Sequence, residues 1–197
     1  MDQEVLDCFE VMELEQDSYF AKGGQRACFE VPDDAGLCVK VEFREDQASL
    51  ERVEEELKAH RKVLARTETS SVVSIFRGQV ETNLGVGYLF DLIRNSDGTI
   101  APTIRNCGEE LGQELILKLV KDFYHEIVAQ KLVVGDLHPK NLVVKDRSRL
   151  VLIDGLGAVN FVWLYYYVGP LRVFKLRRKF RRLCRFLGIS AKGVLGG

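Results

Sequence analysis

The side chains best placed to do chemistry lie in two short stretches, VVGDLHPKNLVV at 133–144 and LVLIDG at 150–155. In the first, Asp136 and Asn141 stand five residues apart on a loop stiffened by Pro139, with His138 between them. In the second, Asp154 ends an apolar run and precedes Gly155. A carboxylate and a side-chain amide can supply hard oxygen ligands to a divalent cation, while another carboxylate can orient a hydroxyl for attack. Far upstream, Lys40 lies between Val39 and Val41, where an ammonium facing a cleft needs an anionic partner such as a phosphate or a glutamate. Singly, a strand lysine is usually a solvated edge residue and an Asp-Gly pair is usually a turn. Their ordered occurrence is what points to a site.

The elements that must position these groups read as β first and α later. Residues 17–31 hold short apolar runs around Gly23 and Gly24, and PDDAG at 32–36 is a turn before LCVKVEF, as in a meander of short antiparallel strands. Between Asp46 and Arg66, Leu50, Val53, Leu57 and Leu64 recur near helical spacing, with charges on the other face. Residues 72–93 alternate as two strands across an ETNLG turn. A longer helix is expected over about 109–131, carrying Leu115, Leu119, Phe123 and Ile127, and LVV, NLVV and RLVLID complete the pattern as short strands.

Composition limits what such a site can belong to. At 197 residues, 46% hydrophobic and 29% charged, the chain can bury one core or two small lobes sharing a cleft. Its five cysteines show no CxxC or metal-ligand spacing, and no signal peptide or long apolar span is evident, so a reduced, cytoplasmic setting is expected. The net charge of -1 conceals an asymmetry: nine of the 28 basic residues and none of the 29 acidic ones follow Asp154. An acidic body carries a basic tail.

Taken in chain order, these features resemble the protein-kinase-like superfamily over roughly residues 17–160. AKGGQR is similar to a shortened glycine-rich nucleotide loop, which would assign Gly23 and Gly24 to the nucleotide. CVKV resembles the strand bearing the phosphate-contacting lysine, Lys40. Glu56 is the expected partner on the following helix, with Glu55 and Glu51 as alternatives. FDLI at 90–93 resembles the hinge between lobes and places Asp91 at the nucleotide. GDLHPKN is similar to the catalytic loop, which implies Asp136 as catalytic base and Asn141 as a metal ligand, and LIDG resembles the segment that sets Asp154 on magnesium. His138 stands where protein kinases usually have lysine, as in small-molecule and sugar kinases; it divides between a substrate contact and a hydrogen bond to the loop backbone. His60 and His125 are expected to be ordinary surface or core residues.

Within that superfamily, GYLFDLIRNSDGTIAPT, the ELKAH segment, the short catalytic-loop spacing and the basic aromatic C-terminus resemble the YrbL family, small bacterial kinase-like proteins of the PhoP regulatory network. The resemblance implies an α+β, protein-kinase-like fold with a small β-rich N-lobe over about 1–92, a reduced, mostly helical C-lobe over about 93–170, and a nucleotide cleft between them. ATP and Mg2+ are the implied cofactors. Val134 and Gly135 replace the histidine-containing lead-in of typical kinases, the glycine loop is reduced to one GG pair, and residues 156–197 hold no APE-like segment. The implied acceptor is therefore a hydroxyl-bearing small molecule or envelope glycolipid and not a protein. A non-catalytic, partner-binding kinase-like module is the alternative.

The tail is expected to form a basic amphipathic helix over about 171–188. Leu176, Phe180, Leu183 and Leu187 recur at helical spacing, while Arg177, Arg178, Arg181, Arg182 and Arg185 fall largely elsewhere on the wheel. It can pack on the body or meet an anionic leaflet at the inner membrane, for which the aromatic stretch FVWLYYYVGP is suited though too short to span. No nucleic-acid partner is expected, because no basic-aromatic RNA motif is present.

Overall fold

The computed structural model describes residues 11–23, 26–42, 47–64, 70–156 and 169–196. They form two compact units, one built from the chain up to Asp46 together with Phe76–Leu92, the other from Gln47–Ile75 and Ile93 onward.

The first unit is an antiparallel sheet in the order β1-β2-β3-β5-β4, from β1 (Ala21–Lys22), β2 (Arg26–Val31), β3 (Asp34–Glu42), β4 (Phe76–Thr82) and β5 (Gly85–Asp91). Period-two alternation sends Ala27, Phe29, Val39 and Val41 to one face, where they form a core with Leu14. Both reversals occur, the first tighter than PDDAG at 32–36 implied because β3 already begins at Asp34. Pro32 and Asp33 reverse the chain between β2 and β3, and Asn83 and Leu84 connect β4 to β5. Asn83 also clasps the incoming chain, accepting from Leu14 N–H at 2.9 Å and donating to its carbonyl at 3.0 Å.

The second unit is mostly helical: α1 (Gln47–Leu64), α2 (Ile104–Leu111), α3 (Gln113–Ala129), a 3-10 turn (Pro139–Asn141), the hairpin β6 (Leu142–Lys145) and β7 (Arg149–Leu152), α4 (Gly169–Leu187) and α5 (Ala191–Leu195). Its core joins Leu119, Phe123 and Ile127 of α3 to Leu176, Phe180 and Leu183 of α4. Phe180 packs between Phe123 and Tyr124, at centroid distances of 6.0 and 4.9 Å. The apolar stripe read in the tail is therefore buried within this unit. No helix of the described residues is long and apolar enough to cross a membrane.

Three local expectations differ from the structure. The helix expected over 109–131 begins earlier, at Ile104, and is broken by Gly112, whose φ of 76° ends α2 before α3 starts. Residues 132–134 make only a bridge, Val134 to Leu156. Val72–Ile75 do not extend the β4–β5 hairpin: Ser74 N–H donates to Leu152 and Leu152 N–H to Val72, which buries Val73 and Ile75 against β7 instead.

Candidate active site

The β6–β7 hairpin gathers the C-terminal site residues. Leu142 pairs with Leu152, and just beyond that rung Ile153 N–H donates to the Asn141 carbonyl at 2.9 Å. Asn141 and Asp154 thus leave the same end of the hairpin. At the far end the chain turns through Asp146 and Arg147, both left-handed with φ near 50°. The turn is braced from outside, since Ser96 N–H donates to the Asp146 carboxylate at 2.6 Å and Asp146 N–H to the Asn95 side chain at 2.8 Å. Thr103 bridges Val143, and Val144 N–H donates to Pro102. The segment RNSDGTIAPT therefore has a mechanical role: it holds the hairpin that carries Asn141 and Asp154.

Asp136 is brought to the same place by two links. The Asn141 side-chain amide donates to the Asp136 carboxylate at 3.1 Å. The N–H groups of Gly135 and Asp136 both donate to the Gly155 carbonyl, at 2.7 and 3.2 Å. Asp154 accepts from Gly155 N–H at 2.6 Å. Asp136 is exposed, whereas Asn141 and Asp154 are half-buried. One open carboxylate thus accepts from an amide, and its backbone is bound to the glycine that follows the second carboxylate.

His138 caps the 3-10 turn, its Nδ1 accepting from Lys140 N–H at 3.2 Å, so the backbone hydrogen bond is one of its roles. It also faces a groove of about 560 Å3 whose lining includes Arg105, Glu109, Gln113, Pro139 and Phe186. That volume lies within the range of small-molecule sites. Neither the groove nor Phe186 was evident from sequence, because residues from three helices converge there.

Lys179 is the other residue that sequence reasoning missed. Its ammonium donates to the Gly135 carbonyl, next to Asp136. A signal existed: Lys179 is three residues after Leu176 and four before Leu183, on the buried side of an otherwise solvated basic helix. Arg178, Arg181, Arg182 and Arg185 are exposed, and Arg177 is tied to the Leu195 carbonyl at 3.2 Å.

In the sheet unit, Lys40 is 6% exposed and its Nζ lies 4.0 Å from the centroid of the Phe90 ring. An ammonium over an aromatic face keeps part of the electrostatic compensation that burial removes. Asp91, expected at the nucleotide, has its carboxylate gripped by Arg77 through Nε at 2.5 Å and the terminal nitrogen at 3.1 Å. Gly23 closes the β1–β2 turn, its N–H donating to Arg26 at 2.9 Å, and Gly24 lies outside the described residues. Glu56 of α1 is turned inward, 3.9 Å from His60 Nε2, while Glu51 is exposed and the Glu55 side chain lies outside the described set. His60 is buried and His125 exposed.

Among the described residues no group of three or more His, Cys, Asp or Glu is gathered for a metal. The amide-plus-carboxylate pair of Asn141 and Asp154 suits magnesium, which takes one or two protein oxygens and completes its shell with phosphates and water.

The profile of the family described as "PhoP regulatory network protein YrbL" matches residues 12–188. The chain belongs to the YrbL family. It is 26% identical to the YrbL proteins of Escherichia coli (strain K12) and Shigella flexneri over 196 residues, covering 93% of this chain and 90% of theirs. Among solved structures it is similar to Rad53 1-466 in complex with AMP-PNP, with a TM-score of 0.59 at 11% identity. That match covers 88% of this chain and 47% of the Rad53 chain. The YrbL-family chain therefore has the α+β, protein-kinase-like fold that its motif order implied.

Proposed function

We propose that this YrbL-family protein is an ATP- and magnesium-dependent phosphotransferase acting on a hydroxyl-bearing small molecule. The observation that carries the reading is the meeting of Asp136, Asn141 and Asp154 through the Gly155 carbonyl and the end of the β6–β7 hairpin. The exposed Asp136 carboxylate, accepting from the Asn141 amide, supports a catalytic over a purely partner-binding reading. The complex of the Rad53 neighbour with AMP-PNP supports a nucleotide as ligand.

In this reading Lys40 holds ATP phosphates, and Asn141 and Asp154 hold magnesium, which supplies charge neutralisation when bound. Asp136 orients the acceptor hydroxyl and takes its proton. The groove beside His138 receives the acceptor, with Phe186 as an apolar wall and Arg105, Glu109 and Gln113 as polar groups for hydroxyls. Catalysis of this kind is mainly positioning and electrostatics.

Thermal melting with and without ATP and magnesium tests the reading, with a Lys40→Ala, Asp154→Asn double variant in parallel. A ligand that binds only the folded state at 100 times its Kd stabilises by about 2.7 kcal/mol. A shift of several degrees confined to the parent is expected. No shift at millimolar ATP, with the protein well folded, would make the partner-binding module the better account.

A further inference from the structure

Helix α4 reaches the loop of Asp136 at two points. Near its middle, the Lys179 ammonium donates to the Gly135 carbonyl. Near its end, the Phe186 ring meets the His138 ring at a centroid distance of 5.3 Å. Arg178, Arg181, Arg182 and Arg185 of this helix are exposed and Arg177 is turned to the Leu195 carbonyl, so Lys179 is the α4 cation seen to bond the loop of Asp136.

Half-burying an ammonium among like charges is costly. Burial lowers the Lys179 ammonium below the ordinary lysine value; the Asp136 carboxylate pulls it up, while Arg178, Lys175 and Arg182 push it down. A leucine there would fill space without that cost, so packing alone does not account for a cation. What compensates the charge is what it faces: the Gly135 carbonyl and, next to it, the Asp136 carboxylate.

The geometry of the Gly135 peptide completes the argument. Its N–H is fixed by the Gly155 carbonyl at 2.7 Å, and its carbonyl is fixed by Lys179. Both polar groups that determine how the chain enters Asp136 are therefore held, one by the segment after Asp154 and one by the C-terminal helix. Removing either leaves the peptide pinned from one side only.

We propose that Lys179 is a positioning residue for phosphoryl transfer, fixing the Gly135 peptide and with it the entry of the chain into Asp136. This rests on the phosphotransfer reading above. It gives α4 a second task beyond closing the core: the basic helix supplies, from remote sequence, a cation to the Gly135 carbonyl beside Asp136.

The test compares Lys179→Met and Lys179→Arg in the full chain, by amide hydrogen exchange over residues 133–141 and by steady-state ATP turnover. In the methionine variant, exchange at Gly135 and Asp136 is expected to rise about tenfold while α3 and β6–β7 keep their protection, as for loss of one charge-assisted hydrogen bond. Turnover is expected to fall about tenfold to a hundredfold in kcat with KM for ATP unchanged, and arginine should recover most of both. Unchanged protection in the methionine variant overturns the proposal. So does equal impairment of both variants with a large drop in melting temperature, which is the signature of packing. If the parent turns over no ATP, the phosphotransfer reading fails and the exchange data alone decide whether Lys179 positions the loop.

Discussion

Gly155 lies against Asp136 so closely that a Cβ on the glycine would stand 2.5 Å from the Asp136 carbonyl oxygen and 3.0 Å from its Cβ. Its φ of 83° is also one that side-chain-bearing residues rarely adopt. The glycine after Asp154 is thus a seat for the opposite loop as well as a turn residue. Gly155→Ala is expected to cost on the order of 2–4 kcal/mol, from left-handed strain plus displaced backbone. Gly98→Ala is the control, since Gly98 has a φ of 85° with nothing within 4 Å of an added Cβ. It should cost about 1 kcal/mol and leave the nucleotide response intact. Chemical denaturation of both variants measures this, and equal losses would show that the close approach to Asp136 carries no weight.

The two carboxylates are expected to separate by role. Asp154→Asn should abolish the ATP-magnesium melting shift, because it weakens the metal-holding pair. Asp136→Asn should keep that shift and reduce turnover by about a hundredfold to ten-thousandfold, the range for removing a general base. Parallel melting and turnover assays check this; a full melting shift in the Asp154 variant would remove that residue from the metal site.

Lys40 should affect both the sheet and the nucleotide response. Its ammonium is buried over the Phe90 ring, and removing one side of a buried charged contact alone is destabilising even where methionine fills the same space. Lys40→Met is expected to melt below the parent temperature, to remain folded, and to lose the ATP response. An intact ATP response in the folded variant would instead remove Lys40 from the nucleotide site.

That Asp136, Asn141 and the Asp154–Gly155 segment come together was legible because their spacing is local. Asp136 and Asn141 share one loop, Asp154 follows a short continuous apolar run, and a hairpin joining the two is the short connection such runs favour. Contributions that depend on tertiary structure were not legible. Lys179 was hidden among arginines, because a wheel shows which face it shares but not that Gly135 faces it. The break at Gly112 is masked by Leu111 and Ile116, which continue an apparently helical spacing across it. Asp91 was read by position as a nucleotide residue, and the structure adds what sequence could not show, an Arg77 fourteen residues away in the adjacent strand that grips its carboxylate.

Cys38 gives a pH dependence with a definite sign. Burial pushes its thiol from 9.0 up to about 12, with Lys40 opposing the shift. The folded protein therefore holds the proton through a range in which the unfolded chain releases it. The stability linked to Cys38 is complete below pH 9 and declines between pH 9 and about 12, by roughly 1.4 kcal/mol per unit at most. Melting at pH 8 and pH 10 should show a larger loss for the parent than for Cys38→Ala. Equal losses would mean that the thiol is accessible to water in the folded state.

The exposed arginines of α4 make a further prediction about surfaces. With Leu176, Phe180, Leu183 and Cys184 buried in the core, the helix cannot insert an apolar stripe into a bilayer without unfolding its own unit. Arg178, Arg181, Arg182 and Arg185 remain as an electrostatic face, with Phe174 and Phe186 exposed near it at 63% and 54%. We propose that attraction to an anionic leaflet follows from charge alone, at about 1 kcal/mol per basic residue at the surface. Sedimentation with phosphatidylserine-containing vesicles should then show binding at low salt that is lost near 0.5 M, where the screening length is only about 4 Å. Alanine at all four positions should abolish it. Absence of binding at low salt would assign the face to solvent, and salt-resistant binding would mean that the apolar stripe leaves the core.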